Sequence, residues 1–228
     1  MKCCLLIHGF TGSPYEIEPL ATYLKKQSDW KIEDITLPGH GEILKLNGVK
    51  AEEWISHAEQ ALVTLLKENE EVYVIGFSMG GMIASYLAVH YPVKKLVLLS
   101  AAAFYVSPKH FLSDIKEMIK DGWSGNLQGN ELFKRLRKKI KYTPLSATVE
   151  FRKVVLKVRP LLNQVSVPTF IAQGNLDGVV PPKSANYLYR EIGSNRKELF
   201  FLQEAKHVIC HSKGVEELFQ RVWSFLKE

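Results

Sequence analysis

Short apolar runs rich in β-branched residues alternate along this chain with longer stretches whose apolar residues recur at helical period. No other feature limits the fold as much, because parallel strands cannot be joined by tight turns and need crossovers of a dozen or more residues. Six runs read as buried strands: residues 3–7, 32–35, 72–76, 96–100, 169–174 and 198–202. Between them, Trp54, Ile55, Ala58, Ala61, Leu62, Leu65 and Leu66 fall on one helical stripe, as do Met79, Met82, Ile83, Tyr86 and Leu87. A last stripe of Val215, Leu218, Phe219, Val222, Trp223 and Leu226 closes the chain, with Ser212 as its expected N-cap. The expected fold is therefore α/β, a mostly parallel sheet flanked by helices.

Residues 101–167 interrupt this rhythm, being far more than one crossover helix needs. Phe111, Ile115, Met118 and Ile119 suggest one helix there, residues 132–142 a second and 149–162 a third, with Gly122, Gly125, Gly129 and Pro144 as punctuation. The expected organisation is a core built from residues 1–100 and 168–228, with 101–167 inserted as a helical cap. Its size presents no difficulty, since 228 residues, 46% of them apolar, can bury about 70% of the unfolded surface in one core without staples.

Charge and cysteine usage narrow the function classes. Net charge is +6, and residues 131–160 alone hold ten Lys or Arg against two acids. That segment reads as a solvated helix face, and no nucleic-acid partner is expected. Cys3, Cys4 and Cys210 suit neither a disulfide framework nor a zinc site, so no metal is expected. The apolar start is too short for a signal-peptide core, and no run of about 18 apolar residues exists to span a membrane. A cytoplasmic protein without stable membrane insertion is the expectation, with its oligomeric state left open.

Gly76-Phe77-Ser78-Met79-Gly80 carries the chemistry. It follows the run 72–75 directly and opens the helix of Met82 and Ile83, the strand, tight turn and helix that a G-x-S-x-G nucleophile elbow requires. A serine hydroxyl attacks only if a base takes its proton, and that base is an imidazole oriented by a carboxylate. In this architecture the acid and the histidine follow the serine in the chain. Asp29 and Asp34 precede Ser78, and Asp114 and Asp121 fall in the insertion, which leaves Asp177, just beyond the strand 169–174. The loop after the last strand offers His207 and His211; His207, nearer the strand end, is the expected base, with His211 a surface or supporting residue. His57 and His90 lie within expected helices and His110 in the expected cap, and all three read as ordinary. For an oxyanion, the expected donors are the backbone N–H groups of Met79, at a helix N-terminus, and of Phe10, in the glycine-containing loop 8–13. His8 reads as a structural hydrogen-bonding residue.

Taken together these residues resemble the α/β-hydrolase fold, and within it small bacterial carboxylesterases similar to monoacylglycerol lipases. The resemblance runs almost end to end: Leu6-Ile7-His8-Gly9-Phe10-Thr11-Gly12, Pro38-Gly39-His40-Gly41, Gly76 to Gly81, Leu176-Asp177-Gly178-Val179-Val180-Pro181, Ser184 to Ile192, and His207-Val208-Ile209. Lys206 stands where such proteins usually carry glycine before the histidine. The resemblance implies Ser78 as nucleophile, Asp177 as acid, His207 as base, Phe10 and Met79 as oxyanion donors, and no cofactor. It implies a serine carboxylic-ester hydrolase acting through an acyl-enzyme on a small-molecule ester. A thioesterase, a carbon–carbon bond hydrolase, a peptidase or a non-enzymatic ligand receptor could use the same constellation. Phe104, Tyr105, Phe111, Met118, Trp123, Phe133 and Tyr142 suggest an apolar pocket under the cap. Such a pocket favours short- to medium-chain monoesters or monoacylglycerols.

Overall fold

A computed structural model describes residues 1–104 and 143–228. Its six strands are β1 (Lys2–Ile7), β2 (Lys31–Ile35), β3 (Glu71–Phe77), β4 (Leu96–Leu99), β5 (Thr169–Gly174) and β6 (Lys197–Leu202). They form one sheet in the order β2-β1-β3-β4-β5-β6, every neighbouring pair parallel. Each of the six runs expected from sequence is a strand.

The central strands are apolar almost throughout because helices cover both faces, so neither side of the pleat is left to water. On one face, Cys3, Leu5 and Ile7 pack with α2 (Ala51–Glu68), α3 (Met79–His90), α4 (Leu145–Val158) and α5 (Lys183–Glu191). On the other, Cys4 and Leu6 pack with α1 (Glu18–Gln27) and α6 (Val215–Lys227). All three cysteines are buried free thiols. No helix among the described residues is long and apolar enough to cross a membrane.

Several local expectations change. The stripe on α6 is as read, but its N-cap is Gly214, in the left-handed region at φ 71°, not Ser212. A 3-10 turn at Ile209–His211 intervenes, and the Ser212 hydroxyl lies 3.5 Å from the Val208 carbonyl. The helix expected over 149–162 begins a turn earlier, after Pro144. It gives way at Arg159 to a 3-10 run, Arg159–Gln164, because Pro160 has no N–H for the α ladder. Its buried face, Phe151, Val154, Val155 and Val158, belongs to the core over the sheet. Thus α4 and the 3-10 run supply the return from the end of the insertion to β5. Helices α1 and α5 were not marked by apolar periodicity. The other two helices expected in the insertion, its residues from Tyr105 to Tyr142 and the basic run Lys134–Lys141 lie outside the described residues.

Candidate active site

Ser78 sits at the turn between β3 and α3, buried, with φ 54° and ψ −117°. For a side-chain-bearing residue this is a strained conformation, and the surroundings must over-determine it. They do so through glycines. A Cβ on Gly76 would lie 2.3 Å from the Gly80 carbonyl oxygen, and one on Gly80 would lie 2.2 Å from that of Ile7. The Ser78 N–H is held by the Leu99 carbonyl at 2.9 Å, and its own carbonyl accepts from Ala102 at 3.2 Å. The elbow is thus clamped between the ends of β1 and β4.

Three side chains from separate strand ends converge here. The imidazole of His207, in the loop after β6, places Nε2 3.2 Å from Ser78 Oγ and Nδ1 2.8 Å from Asp177 Oδ2. Asp177, in the turn after β5, has a side chain fully withdrawn from solvent. Its Oδ1 accepts the N–H groups of Val179 and Val180 at 2.9 and 2.8 Å, and its Oδ2 accepts Gln173 Nε2–H at 2.7 Å as well as the imidazole. Four donors around one buried carboxylate fix its orientation. An acceptor on Nδ1 selects the tautomer with the proton there, so Nε2 is left to accept from the serine hydroxyl. Phe77 packs against the imidazole with ring centroids 5.0 Å apart.

Gln173 is the participant that sequence reasoning passed over. It is fully buried and its amide also donates to the Val180 carbonyl at 3.1 Å, tying the turn that carries Asp177 to the end of β5. The available signal was a lone amide at the end of a fully buried strand.

The remaining histidines are elsewhere. His211 Nε2 lies 2.8 Å from the Tyr15 carbonyl and its ring stacks on Tyr15, away from Asp177. His8 is buried, its Nε2 accepting the Leu37 N–H at 3.1 Å, which leaves Nδ1–H to donate to the Gly9 carbonyl at 2.8 Å. A carbonyl held this way matters because the trans peptide is planar: fixing the Gly9 oxygen fixes the opposite direction of the Phe10 N–H. The Gly12 N–H reinforces it at 3.1 Å from the same oxygen. Met79 is the first residue of α3, so its N–H has no acceptor within the helix and stands at the positive end of the helix dipole. Phe10 itself is buried, stacked on Phe151 of α4 at 5.1 Å and edge-on to Trp54 at 5.9 Å.

Burial pushes the Cys3 thiol up to about 11 and the Cys210 thiol up to about 12, so neither supplies thiolate near neutrality. Among the described residues no group of three or more His, Cys, Asp or Glu could hold a metal ion.

The chain is similar to known proteins in sequence and in fold. The profile of the family described as serine aminopeptidase, S33, matches residues 1–213. A carboxylesterase of Bacillus subtilis (strain 168) is 26% identical over 231 residues, spanning 100% of this chain and 93% of that protein. A thermostable monoacylglycerol lipase of Bacillus sp. (strain H-257) is 26% identical over 208 residues, spanning 90% of this chain and 82% of that one. A solved structure described with LipS and LipT, two metagenome-derived lipolytic enzymes, superposes with a TM-score of 0.81 at 24% identity, over 99% of this chain and 93% of its own.

Proposed function

The chain belongs to the serine aminopeptidase S33 family of hydrolases, and from that premise we propose that it cleaves carboxylic esters through an acyl-enzyme on Ser78. Its reaction class is esterase- or lipase-type hydrolysis. The finer reading, short- to medium-chain monoesters or monoacylglycerols, is supported by the names of the two Bacillus relatives.

One observation carries the mechanism: a single imidazole joins Ser78 Oγ at 3.2 Å to a buried carboxylate at 2.8 Å. As Ser78 Oγ forms its bond to the ester carbon, His207 Nε2 takes the hydroxyl proton, and Asp177 stabilises the imidazolium. The carbonyl oxygen gains the charge and is met by the N–H groups of Met79 and Phe10. Collapse expels the alkoxide, which receives the proton from His207. Water, deprotonated by the same nitrogen, then attacks the acyl carbon and Ser78 leaves as the alcohol. No group outside the chain is needed for these steps.

In this reading the insertion expected over 101–167 caps the site, although its two ends, Ala101–Ala103 and the helix α4 with its 3-10 run, pack in the core over the sheet. Its start is anchored by Ser184, whose hydroxyl donates to the Ala101 carbonyl at 2.7 Å and accepts the Ala103 N–H at 3.0 Å. A closed apolar pocket gains about 0.8 kcal/mol, roughly fourfold, per buried methylene. Activity on p-nitrophenyl esters from acetate to palmitate should therefore climb in kcat/KM with chain length and then fall, with monoacylglycerol preferred to emulsified triacylglycerol. A flat profile, preference for triacylglycerol, or faster cleavage of aminoacyl p-nitroanilides than of any ester would overturn it.

A further inference from the structure

Beneath the loop from His8 to Ser13 lies a carboxylate that the acyl-transfer steps do not use. Glu16 ends the 3-10 turn Pro14–Glu16 and is 7% exposed. Its Oε2 accepts the Gly9 N–H at 3.0 Å. It also occupies the place that a side chain at position 12 would need, since a Cβ on Gly12 would fall 2.0 Å from Oε2 and 2.7 Å from Oε1. The backbone from Gly9 to Gly12 is therefore folded around the carboxylate. An apolar side chain of similar size could fill this space without the desolvation cost of a charge, but it could not accept the Gly9 N–H.

The two peptides on either side of the Gly9 Cα are thus each fixed by one side chain. Glu16 holds the N–H of the first, while His8 holds the carbonyl of the second, whose N–H belongs to Phe10. If the Gly9 N–H were released, the Gly9 φ and ψ would lose their restraint on the N–H side, and the Phe10 N–H would be aimed less firmly.

We propose that Glu16 is a positioning residue for the oxyanion hole, its buried carboxylate fixing the loop so that the Phe10 N–H points at the developing oxyanion. This rests on the reading of Ser78 as nucleophile and Phe10 as donor. Because the oxyanion exists only in the transition state, loss of this aim lowers kcat and leaves KM in place, whereas a purely structural role lowers the fraction of active protein. The experiment compares wild type, Glu16→Leu, Glu16→Gln and Ser78→Ala on p-nitrophenyl butyrate, with kcat expressed per active site counted by fluorophosphonate titration, except for Ser78→Ala, whose rate is taken per protein. Glu16→Leu should lose about 10- to 100-fold in kcat with KM within about threefold, part of the cost of deleting an oxyanion donor. Glu16→Gln keeps an oxygen that accepts the Gly9 N–H and should recover most of that loss. Should the leucine variant not fold, Glu16→Asp, which withdraws the carboxylate by one methylene, gives the same reading of kcat against KM. Wild-type kcat per site in Glu16→Leu or Glu16→Asp, or a glutamine variant as impaired as the leucine one, overturns the inference while an inactive Ser78→Ala leaves the parent reading standing. An active Ser78→Ala overturns both.

Discussion

Replacing Asp177 by asparagine should give a protein that folds and does not turn over, and the hydrogen-bond pattern says why. Every lone pair of this carboxylate faces a donor: two backbone N–H groups at Oδ1, and the Gln173 amide and His207 imidazole at Oδ2. The new NH2 must therefore confront donors at one end or the other. At the Oδ1 end the Val179 and Val180 N–H groups cannot turn away, so two buried donors would be left unsatisfied at about 1–3 kcal/mol each. At the Oδ2 end both partners can adapt. Gln173 can rotate its amide, presenting Oε1, which has no hydrogen-bond partner among the described residues, at the expense of the bond to the Val180 carbonyl. The imidazole can accept on Nδ1 and carry its proton on Nε2. That second arrangement wins, and it puts a donor where Ser78 needs an acceptor. Stability should fall by only about 1–2 kcal/mol, which is about 2–8 °C in Tm for a chain of this size. Turnover should fall by about 10⁴-fold, the cost of a wrong tautomer in other triads. Thermal unfolding and steady-state hydrolysis of p-nitrophenyl butyrate on the same preparation decide it. An Asp177→Asn enzyme within tenfold of wild-type kcat would refute the orientation argument.

Other perturbations separate packing from chemistry. Gly80→Ala puts a methyl 2.2 Å from the Ile7 carbonyl oxygen and 2.5 Å from that of His8, both backbone, so it should cost about 3 kcal/mol or more and abolish turnover, read by urea unfolding. Gly178→Ala meets nothing within 4 Å and should stay within about 0.5 kcal/mol of wild type. Acid stability should depend on Glu71, whose carboxyl is held at about 2, below the ordinary 4.5, by Lys94 first and then by the Tyr73 hydroxyl. The folded value lies below the unfolded one, so this contribution is fully present above about pH 4.5 and is lost as pH falls toward 2. The Tm gap between wild type and Glu71→Gln should close across that window, and a gap unchanged at pH 2.5 would contradict the assignment.

The sheet was legible because buried parallel strands are written as apolar runs, and the nucleophile turn because its glycines are forced by backbone contact. Helix α5 escaped notice because its buried face is made of Ser184, Ala185 and Leu188, small or sparse residues that leave little periodic signal. In α1 only Leu20, Ala21 and Leu24 are buried and Pro19 stands in the first turn. The start of α6 was misread because Ser212 has the chemistry of a cap, whereas the chain turns into the helix through the left-handed backbone of Gly214. Ser78, Asp177 and His207 could be nominated from chain order and strand ends. Gln173 and Glu16 could not, since their roles depend on partners brought close by the fold: the Asp177 carboxylate for one, the Gly9 amide for the other.

In the proposed reaction Ser78, activated by His207, is the group that attacks substrate. Mass spectrometry of protein treated with a fluorophosphonate locates the activated nucleophile directly. The adduct should sit on the peptide containing Ser78, form stoichiometrically with loss of esterase activity, and be absent from Ser78→Ala and strongly slowed in His207→Ala. An adduct on another residue, or ester hydrolysis persisting in Ser78→Ala at the wild-type rate, would contradict it.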